Sequence, residues 1–232
     1  MKIQKFQENV AIVRERIRAA EVRSGRKPGS VQLVGVSKYA DVATTTQLVA
    51  AGCTVLGENR PQSMWEKAMA LNDPQIAWHL IGHLQRNKVK RTVEMATLIQ
   101  SADSARLLDA INDAGAEINR PVPVLLEVNI SSEASKHGFA PSELNSTIER
   151  VSRLRFVHVN GLMAMAGLAG DAADARREFA ALRELMETQR SNLPDNVRLD
   201  ELSMGMSGDF EIAIEEGATI VRVGSLLFNG LR

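Results

Sequence analysis

The sequence predicts a single-domain (β/α)8 TIM barrel with an N-terminal covering helix, spanning residues 1–232. Eight short apolar segments alternate with stretches of helical character that are long enough to return the chain to a parallel neighbour. Several of these segments are rich in Val, Ile and Leu, as expected for parallel strands buried on both faces. Eight repeats favour a closed barrel, and an open, doubly wound sheet is the alternative.

The first predicted element is an amphipathic helix over residues 5–24, because its apolar side chains recur at helical spacing. These side chains are Phe6, Val10, Val13, Ile17 and Ala20. The predicted strands follow at 31–38, 54–59, 78–82, 98–102, 122–129, 157–165, 199–206 and 219–228. Helices are predicted between them at 41–52, 61–72, 85–96, 104–115, 141–152, 171–190 and 208–217. The glycines and prolines are scattered, so no linker divides the chain.

Composition excludes several classes of protein. The 28 Lys and Arg residues balance 28 Asp and Glu residues, so no net positive field attracts nucleic acid or anionic lipid. No apolar run reaches the roughly 18 residues that a membrane-spanning helix needs, and the charged N-terminus does not resemble a signal peptide. The single Cys53 cannot form an internal disulfide and is expected to be a small core residue. We expect a cytoplasmic protein.

Polar residues follow several predicted strands, where the carboxyl ends of a (β/α)8 barrel meet and ligands are held. Among them, Lys38 follows the apolar segment VQLVGVS, where desolvation is expected to lower the pKa of its amine. A neutral amine attacks aldehydes, so Lys38 is a candidate Schiff-base lysine; a lysine extending into solvent is the alternative. The other strand-end residues are Ser37, Glu58, Asn59, His83, Asp103 and Asn129.

Two turns rich in small residues are predicted at the last two strands, in SMGMSG (203–208) and VRVGS (221–225). Barrels of this type frequently bind phosphate there through backbone N–H groups and hydroxyls. Gly224 allows a phosphate oxygen to approach the main chain, and Ser203 and Ser225 offer hydroxyl donors. Ordinary turns are the alternative, but together with Lys38 they indicate a phosphorylated aldehyde as ligand.

Arg222 lies inside the apolar segment TIVRVGSLLF, two residues before Gly224. Next to a phosphate site, this arginine is a candidate to donate to the ring nitrogen of a pyridoxal group. Unlike a carboxylate, an arginine disfavours protonation of that nitrogen and so weakens the ring as an electron sink.

The segments VSK, GEN, WHLIGHLQRNK, VNISSEASKHG, GLMAMA and LSMGMSGDFEIAIEEGATIVRVGSLLF resemble the pyridoxal phosphate homeostasis proteins. The resemblance covers nearly the whole chain, and the third and last segments together are specific to that family. It implies a fold similar to the barrel domain of alanine racemase, with pyridoxal 5′-phosphate (PLP) bound as an internal aldimine. It also implies a role in vitamin B6 homeostasis and amino-acid balance, without established catalytic turnover.

Matched by motif, the resemblance implies that Lys38 is the aldimine lysine, that Asn59 lies near the ring and that Arg222 faces the pyridine nitrogen. The other implied cofactor-binding residues are His79, Met163, Ser203, Met204, Gly205, Gly224 and Ser225. The sequence departs from the family after GEN, where Arg60-Pro61 follows, and at Asn229 near the C-terminus. The first departure affects the rim beside Asn59.

Other polar features have less specific interpretations. His79 and His83 are four residues apart, which is about 13 Å along a strand and too far for one ion, so no metal site is expected. The basic residues of segment 86–91 indicate a solvated helix face, with anion or partner docking as the alternative. Glu133 and Lys136 are expected either to form a pair over the cofactor or to face water.

Two functional hypotheses follow. The first is a monomeric PLP-binding protein that holds the cofactor on Lys38, with PLP-dependent apoenzymes as candidate partners. The second is a small PLP-dependent amino-acid racemase in which Lys38 acts as an acid/base catalyst. Related racemases use a tyrosine from a second, β-rich domain on the opposite face of the cofactor. The single tyrosine here, Tyr39, directly follows Lys38, so the first hypothesis is favoured.

Overall fold

The computed structural model describes residues 2–131, 137–167 and 170–231. Its parallel strands pair in sequence order and close into a barrel. The strands are β1 (Gln32–Val36), β2 (Val55–Glu58), β3 (Ala77–Leu80), β4 (Leu98–Ala102), β5 (Val122–Glu127), β6 (Val157–Met163), β7 (Val197–Ser203) and β8 (Ile220–Val223). The helices are α1 (Lys2–Arg23), α2 (Val42–Ala50), α3 (Pro61–Leu71), α4 (Val89–Met95), α5 (Ala105–Glu117), α6 (Leu144–Val151), α7 (Ala172–Gln189) and α8 (Phe210–Glu215).

The pairing of β1 with β8 closes the barrel. Four consecutive residue pairs join these strands, from Gln32 opposite Ile220 to Gly35 opposite Val223. The closed barrel is therefore confirmed, and the alternative of an open sheet is wrong. The last strand is shorter than predicted because the chain turns at Gly224 and continues as a 3-10 helix, Ser225–Phe228.

Helix α1 is the predicted covering helix, and the structure places it beside the β1–β8 pairing that closes the barrel. Its apolar face is buried, and it packs against α2, α8 and the C-terminal 3-10 helix. The Asn9 amide donates to the carbonyl oxygens of Leu227 and Asn229 at 3.1 and 2.9 Å, and Arg16 forms a two-point ion pair with Glu211 on α8. These bonds tie the N-terminal helix to the C-terminal segment.

The start of α3 accounts for the departure of the sequence after GEN. Pro61 occupies the first turn of this helix, where proline fits because the backbone N–H there has no partner within the helix. Arg60, just before it, is exposed. Across residues 2–131, 137–167 and 170–231, we find no helix with the length and apolar character that crossing a bilayer requires.

The barrel interior changes from apolar to polar along the strands. Val34, Leu98, Leu125, Met163 and Ile220, from five strands, pack into one buried apolar cluster. Because side chains alternate between the two faces of a strand, the residue two positions further on points to the same side. In β4, β5 and β8 these residues are Gln100, Glu127 and Arg222, all buried. An apolar layer thus lies beneath a polar one.

Gly161 allows β6 and β7 to approach closely. A Cβ atom at this position would lie 1.9 Å from the carbonyl oxygen of Glu201, which belongs to the backbone of the neighbouring strand and cannot rotate away. We expect Gly161→Ala to lower the free energy of unfolding by about 3 kcal/mol, measured by urea denaturation. Gly208→Ala is the control, since its Cβ would meet nothing within 4 Å. Equal stabilities of the two variants would contradict this account.

Candidate functional site

A cavity of about 820 Å³ opens at the carboxyl ends of the strands, beside the β1–β8 seam. Five residues predicted for the site line it, namely Lys38, Asn59, Arg222, Gly224 and Ser225. They come from the ends of β1, β2 and β8 and are brought together by the barrel, as the strand-end pattern predicted. The volume lies in the range of small-molecule and cofactor sites.

Lys38 lies at the mouth of the cavity. The strand β1 ends at Val36, so Lys38 belongs to the following turn and is exposed. Its Nζ lies 5.1 Å from the ring centroid of Tyr39, which is itself 88% exposed. The expectation that Lys38 is desolvated by the strand is therefore wrong. The amine is accessible from solvent while it lines the cavity.

The turns after β7 and β8 are in direct contact. The backbone N–H of Gly224 donates to Ser207 Oγ at 3.1 Å, and Ser207, Gly208 and Ser225 line the cavity with Gly224. Ser207 and Ser225 place two hydroxyl groups at one end of the cavity. Such groups bind the oxygens of a phosphate well.

A buried hydrogen-bonded chain runs from Arg222 into the polar layer. Arg222 Nη1 donates to Ser203 Oγ at 2.6 Å, and Ser203 Oγ donates to Gln100 Oε1 at 2.6 Å. The Gln100 amide is 2.9 Å from His79 Nδ1 and donates to it, so the imidazole carries its proton on Nε2. Arg222 also donates to the carbonyl oxygen of Ala164 at 3.0 Å. Burial lowers the pKa of Arg222 to about 10 and that of His79 to about 4.

Ser203 and His79 thus lie beneath the cavity rather than on its wall. The hydroxyl of Ser203 joins Arg222 to Gln100, and neither Ser203 nor His79 is among the described residues that line the cavity. Through this chain of hydrogen bonds, Ser203 and His79 fix the orientation of the Arg222 guanidinium. Sequence reasoning missed Gln100, although a glutamine inside the apolar segment LIQSA is a signal of a polar barrel interior.

The methionines at the cavity differ from those selected by resemblance. Met165 and Met206 line it, whereas Met163 belongs to the apolar layer of the barrel and Met204 to the core outside it. Met163 ends β6 and Met204 directly follows β7. Met165 and Met206 each come two residues later, where the chain has left the strand.

Gly205 allows the turn after β7 to pack on α8. It has φ +88, and a Cβ there would lie 2.5 Å from the Cβ of Ala213.

A buried ion pair holds the end of β1 beside Lys38. Lys67, on α3, donates to Glu58 Oε1 at 2.5 Å and to the carbonyl oxygen of Ser37 at 2.8 Å. Ser37 Oγ donates to the same carboxylate oxygen at 2.6 Å. The pair therefore links β1, β2 and α3 directly beneath the turn that carries Lys38. Glu58 is one of the predicted strand-end residues, whereas nothing in the sequence pattern singled out Lys67.

Glu127 is the acidic member of the polar layer. It is buried, and burial together with the nearby charge of Asp103 raises the pKa of its carboxyl to about 7, against the opposite effects of Arg222 and His83. The residue ends β5 and is the acidic counterpart of Arg222 in the barrel interior. Neither residue composition nor spacing had indicated it.

The histidine pair with HxxxH spacing is divided between two environments. His79 is bonded to Gln100 in the barrel, whereas His83 Nδ1 lies 2.6 Å from Asp103 Oδ2 on the rim. His137, distant in sequence, stacks on His83 with ring centroids 4.3 Å apart. The predicted pair of Glu133 and Lys136 lies outside the described residues.

The other sequence features have structural roles. Cys53 is buried in the core as expected, and burial raises the pKa of its thiol to about 11. In the basic segment 86–91, Lys90 pairs with Glu117 and the Arg91 guanidinium lies 4.7 Å from the ring centroid of Trp65. These contacts agree with a solvated helix face.

The fold and the cavity define a (β/α)8 barrel with a ligand site at the carboxyl ends of its strands. Residues 2–231 match the sequence model of the family described as alanine racemase, N-terminal domain. The pyridoxal phosphate homeostasis protein of Aquifex aeolicus is 43% identical over 95% of this chain and 96% of its own length. That of Pseudomonas aeruginosa is 40% identical over 95% of this chain and 94% of its own length.

Solved structures give the same relationship. PipY of Synechococcus elongatus, in a structure with PLP bound, has a TM-score of 0.84 and 35% identity, covering 97% of this chain and all of its own. An alanine racemase of Clostridium difficile has a TM-score of 0.74 at 14% identity, covering 97% of this chain and 59% of its own, and shows the shared fold alone. This chain belongs to the alanine racemase N-terminal domain family and, within it, to the pyridoxal phosphate homeostasis proteins.

The buried His79 makes the stability of the protein dependent on pH. The unfolded chain binds a proton near the ordinary pKa of 6.5, whereas folded His79 resists protonation until about pH 4. The free energy of unfolding therefore falls as the pH decreases from 6.5 to 4, by up to about 3 kcal/mol from this residue. We expect His79→Gln to lose that part of the acid sensitivity in urea denaturation at pH 7 and 4.5.

The control for this prediction is His158→Gln, which removes a histidine from β6 and should keep the sensitivity of the parent protein. The same fall in stability in His79→Gln as in the control would show that His79 is not the source.

Proposed function

We propose that this protein binds PLP in the cavity beside the β1–β8 seam, with Lys38 as the point of covalent attachment, and that it serves PLP homeostasis in the cytoplasm. The observation that carries the proposal is the convergence of a lysine amine and the small-residue turns after β7 and β8 on one cavity of about 820 Å³. A phosphorylated aldehyde needs both an amine to react with and a separate site for its phosphate. The family membership of the chain and the PLP-bound structure of PipY support this assignment.

Gly224 and Ser225, with Ser207 from the turn after β7, would hold the phosphate. The N–H of Gly224 donates to Ser207 Oγ at 3.1 Å in the wall of the cavity, which leaves the hydroxyl proton of Ser207 to be donated elsewhere. A phosphate oxygen would accept that proton and the one from the hydroxyl of Ser225. Glycine at position 224 leaves the backbone free of a side chain that would cover it.

Arg222 would face the ring nitrogen of PLP. Its pKa of about 10 keeps the guanidinium charged at neutral pH, and its bonds to Ser203 and Ala164 fix its orientation. A fixed positive charge beside the ring nitrogen opposes protonation there. Bound PLP supplies an aldehyde and an electron-withdrawing ring, and Arg222 would restrain the second property. This arrangement suits a protein that carries the cofactor more than one that uses it.

The homeostasis role is proposed as binding and release of PLP to PLP-dependent apoenzymes. Lys38 is exposed at the mouth of the cavity, so the attached group would be reachable from solvent and from another protein. The exposed large apolar side chains of the described residues are spread over several elements, which supports a monomer. They are Ile12, Val22, Tyr39, Met69 and Met165.

A PLP-dependent amino-acid racemase is the second candidate, favoured by the fold shared with alanine racemase. Racemisation needs an acid/base group on each face of the substrate carbon. Lys38 would serve one face. Tyr39, the adjacent tyrosine, lies against the Lys38 amine rather than across the cavity from it.

The covalent site can be tested by spectroscopy. We expect the protein with PLP to show an absorbance band near the visible edge that collapses on borohydride reduction and leaves a pyridoxyl group on Lys38. Lys38→Ala should lose the band, because the amine that attacks the aldehyde is gone. Lys2→Ala is the matched control, since Lys2 also lines the cavity. Stoichiometric covalent PLP in Lys38→Ala would overturn the assignment.

Carrier and racemase are distinguished by proton exchange at the α-carbon of alanine. We expect the PLP-loaded protein to exchange this proton in deuterated water no faster than Lys38→Ala does, because Arg222 opposes protonation of the ring nitrogen. Deuterium incorporation is followed by NMR. In parallel, PLP release is followed as activation of an apoenzyme added to the loaded protein. Exchange that depends on Lys38 would favour the racemase.

A further inference from the structure

Three side chains meet on the rim after β3, β4 and β5, outside the described lining of the cavity. We name His83, Asp103 and His137 the rim triad. His83 Nδ1 lies 2.6 Å and His137 Nδ1 lies 3.7 Å from the same oxygen, Asp103 Oδ2. One potential ligand atom from each residue lies within 4.8 Å of the other two. The proposed PLP site uses none of the three.

In the rim triad the carboxylate is buried and the two imidazoles are exposed, so an ion from solvent can reach the ligand atoms. The Asp103 side chain is 5% exposed, whereas those of His83 and His137 are 45% and 62% exposed. A carboxylate anchored at the end of a strand is thus covered by two accessible imidazoles. The rings stack with an interplanar angle of 17°, so one of them must turn for both ring nitrogens to point at one ion, because the nitrogen lone pairs lie in the ring planes.

We propose that the rim triad binds a divalent transition-metal ion of the Zn²⁺ type. Two imidazole nitrogens and one carboxylate oxygen are a ligand set that zinc accepts, with a fourth position left for solvent. Imidazole ligands favour Zn²⁺ and its neighbours over Mg²⁺ and Ca²⁺, which prefer oxygen.

Binding needs a rearrangement of the two exposed imidazoles. Zinc bonds to nitrogen and oxygen are about 2.0–2.2 Å long, so His83 Nδ1 and Asp103 Oδ2 must separate slightly for an ion to lie between them. The Nδ1 proton of neutral His83 moves to Nε2 of the same ring, which leaves the Nδ1 lone pair to bind the ion. The exposure of His83 allows this movement without disturbing the core.

The rim triad is adjacent to the proposed PLP site without being part of it. Gly82, which lines the cavity, directly precedes His83 in the chain. A metal ion here would add a positive charge and an exchangeable solvent ligand at the edge of the cavity. The inference does not require PLP to bind, since its ligands and the residues of the PLP site are different.

The test is calorimetric titration of the chelator-treated full chain with Zn²⁺ in a non-coordinating buffer. We expect one ion per chain. Because each variant removes a ligand, His137→Ala and Asp103→Asn should weaken the affinity at least about tenfold. Co²⁺ should give a visible absorption spectrum that both variants lose.

His158→Ala is the control for loss of a histidine and should bind as the parent protein does. His137 is largely exposed, so His137→Ala should fold normally, which circular dichroism checks. Absence of Zn²⁺ binding in the parent protein, equal affinity in His137→Ala, or a preference for Mg²⁺ over Zn²⁺ would overturn the proposal. Lys38→Ala should retain Zn²⁺ binding, so failure of the PLP assignment remains distinguishable from failure of the metal site.

Discussion

The pairing of β1 with β8 closes the barrel, and the ligand site exists only because of it. It sets Val34 opposite Arg222 and Gly35 opposite Val223, joining segments that are almost the whole length of the chain apart. Only a closed barrel makes these strands neighbours, since in an open sheet of the same order they would form opposite edges. Without this closure Lys38 and the turn at Gly224 would share no cavity. The bonds of α1 to the C-terminal segment reinforce the same seam.

The interior of the barrel shows how stability and function divide the same strands. One layer of inward-facing side chains is apolar and buried. Two residues further along β4, β5 and β8, the inward-facing side chains are polar or charged. Burying charged and polar groups costs free energy unless they are bonded to one another. The chain from Arg222 through Ser203 and Gln100 to His79 satisfies its members, and it fixes the guanidinium of Arg222 at the cavity. We interpret the polar layer as a rigid floor for the ligand site.

A buried ion pair also fixes the turn that carries Lys38. Lys67 and Glu58 lie between α3 and two strand ends, and both contact Ser37, the residue before Lys38. A buried pair of this kind contributes little net stability, because desolvation offsets the attraction, but it permits few alternative arrangements. After β4, the buried carboxylate of Asp103 contacts the exposed imidazoles of His83 and His137. In the proposed PLP site and in the rim triad alike, buried charged side chains therefore contact the segments or side chains that are exposed.

From the sequence alone, the alternation of strands and helices, their approximate boundaries and five residues of the cavity wall could be predicted, and a closed barrel was favoured over an open sheet. Apolar runs and helical spacing are local properties, and strand ends of parallel sheets meet at one edge whatever the details of packing. The tertiary structure was needed to show that the barrel closes, that Lys38 is exposed, that Met165 and Met206 rather than Met163 and Met204 line the cavity, and that Gln100 and Lys67 support the site from beneath. It also brought His137 to His83. The reason is that side-chain burial and pairing depend on contacts between residues far apart in the chain, which periodicity and spacing do not encode.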